Sequence, residues 1–244
     1  MIDFDGRSVL VTGTNSGLGK FIHERIPTSI PLTRDNRDDI LVGQKYDIII
    51  HSAYNSLNVD FTDLNLKYVD DNLLLTSDLI NLCDGCFVYV SSIDSVNKIE
   101  SSYALFKKIS EELIKSKIEN HFIIRPSHLI QGGDFDKIPG SIKKIINDEP
   151  ISLTENSKFN LVSYQDILSY IVKKIKNEIE DKEINLVNSE SIMVSEVIGI
   201  LEKNIGYGNF EYIPTIPKES HKVENSSKEM LVQYLKENDI IREY

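Results

Sequence analysis

Residues 8–22 read Ser8-Val9-Leu10-Val11-Thr12-Gly13-Thr14-Asn15-Ser16-Gly17-Leu18-Gly19-Lys20-Phe21-Ile22, a β-rich apolar run that passes through three glycines into a helical pattern. That order suits phosphate. Glycines let a backbone approach a pyrophosphate, whose charge then rests on the free N–H groups of a helix N-terminus. A side chain at Gly13, Gly17 or Gly19 would block the approach, and Asn15, Ser16 and Leu18 complete the cradle. A triphosphate loop fits poorly, because it needs glycine where Thr14 stands and a hydroxyl residue where Phe21 stands. A tight strand-to-helix turn without a ligand is the competing reading.

Outward from this turn, runs at 47–51, 87–91 and 122–125 read as further buried strands, with a shorter one at 29–33. Helical patterns separate them: 18–26, stopped by Pro27; 63–83; and 103–117, where Phe106, Ile109 and Leu113 recur at helical spacing. Buried strands alternating with helices predict an α/β fold with a doubly wound parallel sheet. After residue 130 the pattern loosens. Gly132-Gly133, Pro139-Gly140 and Pro150 mark turns, and helices are expected near 165–177 and 194–203. The expected division is a dinucleotide-binding core over 1–130, then 131–244 with the remaining core elements interleaved with a small C-terminal substrate lobe.

Among 244 residues, 27 Lys and Arg face 38 Asp and Glu, a net charge of −11 with no basic patch, which argues against nucleic acid as a partner. The longest apolar run, 86–90, falls far short of the ~18 residues a membrane helix needs, so no membrane association is expected. The N-terminus has neither a basic head nor an apolar signal stretch, and the chain holds 2 cysteines, so a cytoplasmic location is expected.

Tyr103-Ala104-Leu105-Phe106-Lys107 places a phenol and an ammonium one helical turn apart on one face. A tyrosine titrates near ~10, and a neighbouring cation favours its phenolate. Upstream, Val88-Tyr89-Val90-Ser91-Ser92 ends a strand with hydroxyls at the sheet's carboxyl edge, where Ser92 could bond a reacting carbonyl. Cys83-Asp84-Gly85-Cys86 has no second pair and reads as two packed thiols. His51 and His128 fall near the expected crevice, while His23, His121 and His221 are scattered, so no metal site is expected. His128 and Gln131 are candidate substrate contacts. The charged tail over 218–244, with periodic Met230, Leu231, Tyr234 and Leu235, reads as a surface helix.

Taken together, Thr12-Gly13-x-x-x-Gly17-x-Gly19, Ser92 and Tyr103-x-x-x-Lys107 resemble the short-chain dehydrogenase/reductase family, most nearly its extended branch of NAD-dependent epimerases and dehydratases. Asp47-Ile48-Ile49-Ile50-His51-Ser52-Ala53, Asn72-Leu73-Leu74-Leu75-Thr76, Ile124-Arg125-Pro126-Ser127, Val162-Ser163-Tyr164-Gln165-Asp166 and Ile184-Asn185-Leu186-Val187-Asn188 extend the likeness over roughly 7–205. The resemblance implies a Rossmann fold and hydride transfer between a nicotinamide and a carbinol or ketone carbon. It makes Tyr103 the general acid or base and Lys107 the group that lowers its pKa and holds the nicotinamide ribose. Ser92 then orients the substrate oxygen, Asn72 supports, Ser52 and Ala53 lie under the riboses, and Pro126 flanks the nicotinamide. It also implies a homodimer through the helices at 63–83 and 103–117.

Two departures matter. After Ser92 the chain reads Ile93-Asp94-Ser95-Val96-Asn97 and only ten residues precede Tyr103, which makes Asp94 a candidate substrate contact and leaves Ser91 as a substitute for Ser92. The stretch from the glycine turn to Asp47 is short, as in 4-keto-sugar-nucleotide reductases, with one strand missing or reduced. Arg34, at the end of the second strand, points to NADP(H), while Asp35 would favour NAD(H) if that strand ends later. The expected activity is reduction of a keto group on a nucleotide-activated sugar. A sugar-nucleotide epimerase and a non-catalytic dinucleotide sensor are the alternatives.

Overall fold

A computed structural model describes residues 2–55, 66–97, 101–131, 140–147, 157–202, 221–223 and 227–237. The turns expected at Gly132-Gly133, Pro139 and Pro150, the helix positions 63–65 and 203, and positions 218–220, 224–226 and 238–244 of the tail lie outside them. The chain divides into two compact units, one of 1–125 with 168–184 and one of 126–167 with 185–244.

In the first unit β1 (Val9–Thr12) leads into α1 (Gly17–Arg25), β2 (Ile30–Leu32), α2 (Arg37–Leu41) and β3 (Tyr46–His51). The abbreviated second strand is therefore reduced, not missing. Next come α3 (Leu66–Val69), a π-helical turn (Asp70–Leu74), α4 (Leu75–Leu82), β4 (Cys83–Val90), α5 (Asp94–Asn97), α6 (Ser102–Lys117) and β5 (His121–Pro126).

Later in the chain lie β6 (His128–Ile130), α7 (Gly140–Ile146), β7 (Lys158–Phe159), β8 (Leu161–Ser163), α8 (Tyr164–Ile175), β9 (Glu183–Asn188), β10 (Ile192–Met193), α9 (Val194–Glu202), β11 (His221–Val223) and α10 (Ser227–Glu237). The main sheet runs β2-β1-β3-β4-β5-β9, all parallel, in the doubly wound order the alternating pattern predicts.

β1 pairs with β2 on one side (Leu10↔Ile30) and with β3 on the other (Leu10↔Ile49). The chain thus reverses its direction of winding at β1, and a crevice opens at the carboxyl ends of β1 and β3. Leu10, Ile49, Leu79, Phe87, Ile114 and Ile123 form the core beneath it. β4 begins at Cys83, earlier than the apolar pattern indicates. Cys83 pairs with Tyr46 and Cys86 with Ile48, so one extra residue bulges from β4. Cys83 and Cys86 are free thiols whose pKa burial raises, Cys86 to about 11, which disfavours their thiolates.

In the second unit β6 pairs parallel with β8, β7 pairs antiparallel with β10, and β11 pairs parallel with Leu186–Asn188 of β9. The tail's periodic residues are core rather than surface: Met230, Leu231, Tyr234 and Leu235 of α10 are all buried, and Asn188 Nδ2 lies 3.7 Å from Met230 Sδ. No helix among the described residues is long and apolar enough to cross a membrane.

Candidate active site

α1 starts at Gly17 directly after the turn, so the N–H groups of its first turn lack intrahelical partners. Gly13 has φ +74°, a left-handed conformation that side chains resist. At Gly19 a Cβ would fall 2.4 Å from both Thr12 O and Gly13 O, so strand and helix approach more closely than any side chain permits. Asn15 and Ser16 are exposed at the tip, Leu18 is buried beneath, and Thr14 Oγ1 is buried with no hydrogen-bond partner among the described residues. An orphaned hydroxyl inside a cradle of free N–H groups fits a diphosphate.

Thr12 ties this turn to the end of β3. Its Oγ1 accepts the N–H groups of Ser52 (3.1 Å) and Ala53 (3.0 Å), which leaves its own proton for His51 Nδ1 at 2.8 Å. His51 Nε2 therefore carries the ring proton and donates to Thr76 Oγ1 at 3.0 Å, and that hydroxyl donates to Asn72 O at 3.2 Å. Burial, helped by the charge of Lys107, lowers His51 to about 3, so the ring stays neutral. Ser52 Oγ donates to Thr12 O at 2.8 Å. Asn72, inside the π-helical turn, grips the next segment: Oδ1 accepts the Asn55 N–H at 2.7 Å and Nδ2 donates to Asn55 O at 3.2 Å.

On the chemical side, Ser101 Oγ caps α6 by accepting the Ala104 N–H at 3.1 Å, which sets Tyr103 in the first turn. Burial raises the pKa of Tyr103, a hydrogen bond with Ser92 lowers it, and the charges of Asp94 and Tyr68 raise it further. The net shift is upward, opposite to the expected effect of Lys107. At neutral pH the phenol is protonated, ready to give a proton. Ser92 Oγ also accepts the Asp94 N–H at 3.2 Å. Ser91 is committed elsewhere, donating to Glu111 Oε1 at 2.5 Å, so Ser92 is the hydroxyl that meets Tyr103.

Lys107 is buried, its Nζ donating to Val90 O at 2.8 Å and lying 4.7 Å and 4.8 Å from the ring centres of Tyr54 and Tyr89. Burial lowers its pKa to about 7, while the carboxylate of Glu111 works the other way. The Tyr54 ring meets that of Tyr103 edge-on at 4.8 Å, and the Tyr54 and Tyr68 hydroxyls share a hydrogen bond. Sequence reasoning missed Glu111. It is fully buried and accepts from Ser95 Oγ (2.6 Å), Arg125 Nε (2.9 Å) and Arg125 Nη2 (2.7 Å), so it fastens α5 and β5 to α6. Its i+4 spacing from Lys107 was the available signal.

At the other end of the crevice, one pocket is lined by Gly13 to Ser16, Leu32, Thr33, Arg34, Arg37, Ala53, Tyr54, Asn55, Asp71 and Leu75. Arg34 follows β2 as the sequence indicates, and Asp35 is exposed. Arg37 and Asp71 were not foreseen. Pro126, His128 and Gln131 belong to the second unit. There Pro126 ends β5, and the exposed His128 places its ring 5.7 Å from that of Phe159. No group of His, Cys, Asp and Glu able to hold a metal occurs among the described residues.

No protein-family model matches the chain, and no curated protein does. Solved structures do. RMD from Pseudomonas aeruginosa, complexed with NADPH, matches with a TM-score of 0.70 and 18% identity over 95% of this chain and 99% of that one. UDP-N-acetylglucosamine 4-epimerase from Bacillus cereus matches at 0.61 and 18% over 98% and 95%. MoeE5 in complex with UDP-glucose and NAD matches at 0.71 and 14% over 95% and 98%. At such identities the similarity is one of fold.

Proposed function

We propose that the protein is a short-chain type, NAD(P)-dependent oxidoreductase of the extended branch that reduces a keto group on a nucleotide-activated sugar, with NADP(H) as its preferred cofactor and NAD(H) also admitted. The observation that carries this is the hydrogen bond between the hydroxyls of Ser92, just after β4, and Tyr103, in the first turn of α6, in the same unit as a glycine turn built for a diphosphate. Gly13, Asn15, Ser16, Gly17, Leu18 and Gly19 would hold the diphosphate, Ser52 and Ala53 the riboses, and Arg34 the adenosine end. A reduced nicotinamide, when bound, supplies the hydride.

This chain's residues handle the proton. Ser92 holds the substrate carbonyl oxygen, Tyr103 Oη releases its proton to that oxygen as the carbon is reduced, and solvent restores the phenol. A phenol held above its ordinary pKa is protonated at neutral pH, the form that can donate to the carbonyl oxygen. Asp94, two residues after Ser92 in the same unit, is assigned to the sugar. Folds shared with RMD, whose structure holds NADPH, and with MoeE5, whose structure holds UDP-glucose and NAD, support the cofactor and substrate classes.

The test is Tyr103→Phe. Consumption of NADPH with a panel of keto nucleotide sugars should be lost while NADPH binding persists; full activity in this variant ends the assignment. An epimerase, by contrast, retains its NAD through gel filtration and turns over without net cofactor consumption.

A further inference from the structure

We infer that Asp71, on the π-helical turn, sets how strongly the protein discriminates NADP(H) from NAD(H), by holding the arginine that a 2′-phosphate needs. This deepens the dinucleotide reading above and rests on it.

The two arginines of the pocket are bound in different ways. Arg37 is forked onto Asp70, with Nη1 to Oδ2 at 2.6 Å and Nη2 to Oδ1 at 3.1 Å, and lies 3.6 Å from Asp78. Its side chain is 15% exposed, and although burial works against the charge, the carboxylates raise its pKa. It is a structural strut. Arg34 is 66% exposed and reaches Asp71 Oδ2 at 2.9 Å. Of the two arginines, it is the one that solvent reaches.

Asp71 is the fixed partner. Its side chain is 12% exposed, its Oδ2 also accepts Asn55 Nδ2 at 2.9 Å, and its Oδ1 lies 3.8 Å from Arg37 Nη1. Asn55 is in turn clamped by Asn72. A carboxylate held from three directions therefore lines the same pocket as the glycine turn and the residues after β2, where a doubly wound sheet receives the adenosine ribose.

Two cofactors meet this arrangement differently. A 2′-phosphate draws the exposed Arg34 guanidinium into a charge-assisted pair, which strips Asp71 of a counter-charge and leaves two anions close together. A 2′-hydroxyl donates to Asp71 and leaves the ion pair whole. Arg34 thus favours NADP(H), and Asp71 narrows the margin.

Calorimetric titration with NADPH and NADH tests this without turnover. Asp71→Asn should tighten NADPH relative to NADH by about tenfold, and Arg34→Ala should lower that ratio by a similar factor with NADH little changed. Asp71→Ser carries the same expectation should the amide variant not fold. An unchanged ratio in the Asp71 variants, with both dinucleotides still bound, overturns the inference alone. A wild-type protein that binds neither overturns the dinucleotide reading and this inference with it.

Discussion

Lys107 is 3% exposed and ionises at about 7, because burial penalises the ammonium while Glu111, one turn further along α6, favours it. An unfolded lysine titrates near ~10.4, so between about 7 and ~10.4 the unfolded chain holds the extra proton. The contribution of this group to stability therefore rises with pH across that window and is smallest below it. Glu111 sets where the window begins. Glu111→Gln removes the charge that raises Lys107, so the amine should ionise below about 7. Nuclear magnetic resonance of the lysine side chain against pH reads this directly, and an unmoved midpoint would show that the carboxylate does not act on Lys107. The variant should also lose about 3 kcal/mol, the low end for a broken buried pair, since Arg125 Nη2 keeps Glu183 at 2.5 Å.

At the scale of elements, the glycine turn shows close approach governing a whole strand–turn–helix unit. Gly19→Ala would put a Cβ 2.4 Å from two backbone oxygens that cannot step aside. It should cost ~3 kcal/mol or more and weaken NADPH binding at least about tenfold, read by urea unfolding and calorimetry. Gly199→Ala on α9, where an added Cβ meets nothing within 4 Å, should instead stabilise by up to ~1 kcal/mol. Similar stability changes in the two would refute the close-approach argument. The turn, the main strands and the Tyr103 helix were legible because buried parallel strands are apolar throughout and glycines punctuate them. Other features were hidden for physical reasons. Apolar periodicity pointed to Ile109 as core, yet it is 38% exposed, because α6 buries Lys107, Ser110 and Glu111, a polar stripe whose charges are compensated by Arg125 and the end of β4. Asp71 and Arg37 could not be placed either, since ion pairs between residues more than thirty positions apart leave no local pattern. The π-helical turn that carries Asp71 and Asn72 spells an ordinary helix in sequence.

For the molecule as a whole, the division of labour follows from how the chain is partitioned. Every residue lining the pocket beside the glycine turn, together with Ser92, Tyr103 and Lys107, belongs to the first unit, while His128 and Gln131 belong to the second. Dinucleotide binding should therefore act first on the stability of one unit. At a hundred times its dissociation constant a ligand adds about 2.7 kcal/mol to the state that binds it. Hydrogen exchange with saturating NADPH should slow opening around 12–19, 32–37, 51–55 and 70–76, the segments that carry the cradle, the Arg34–Asp71 pair and the Thr12–His51–Thr76 chain. Strands β7, β8 and β10 contribute nothing to that pocket, so amides there that exchange by local opening should be little affected. Protection centred on 157–163 and 192–200, with the glycine turn unchanged, would mean that NADPH binds elsewhere, and the glycine turn would then be only a tight connection between β1 and α1.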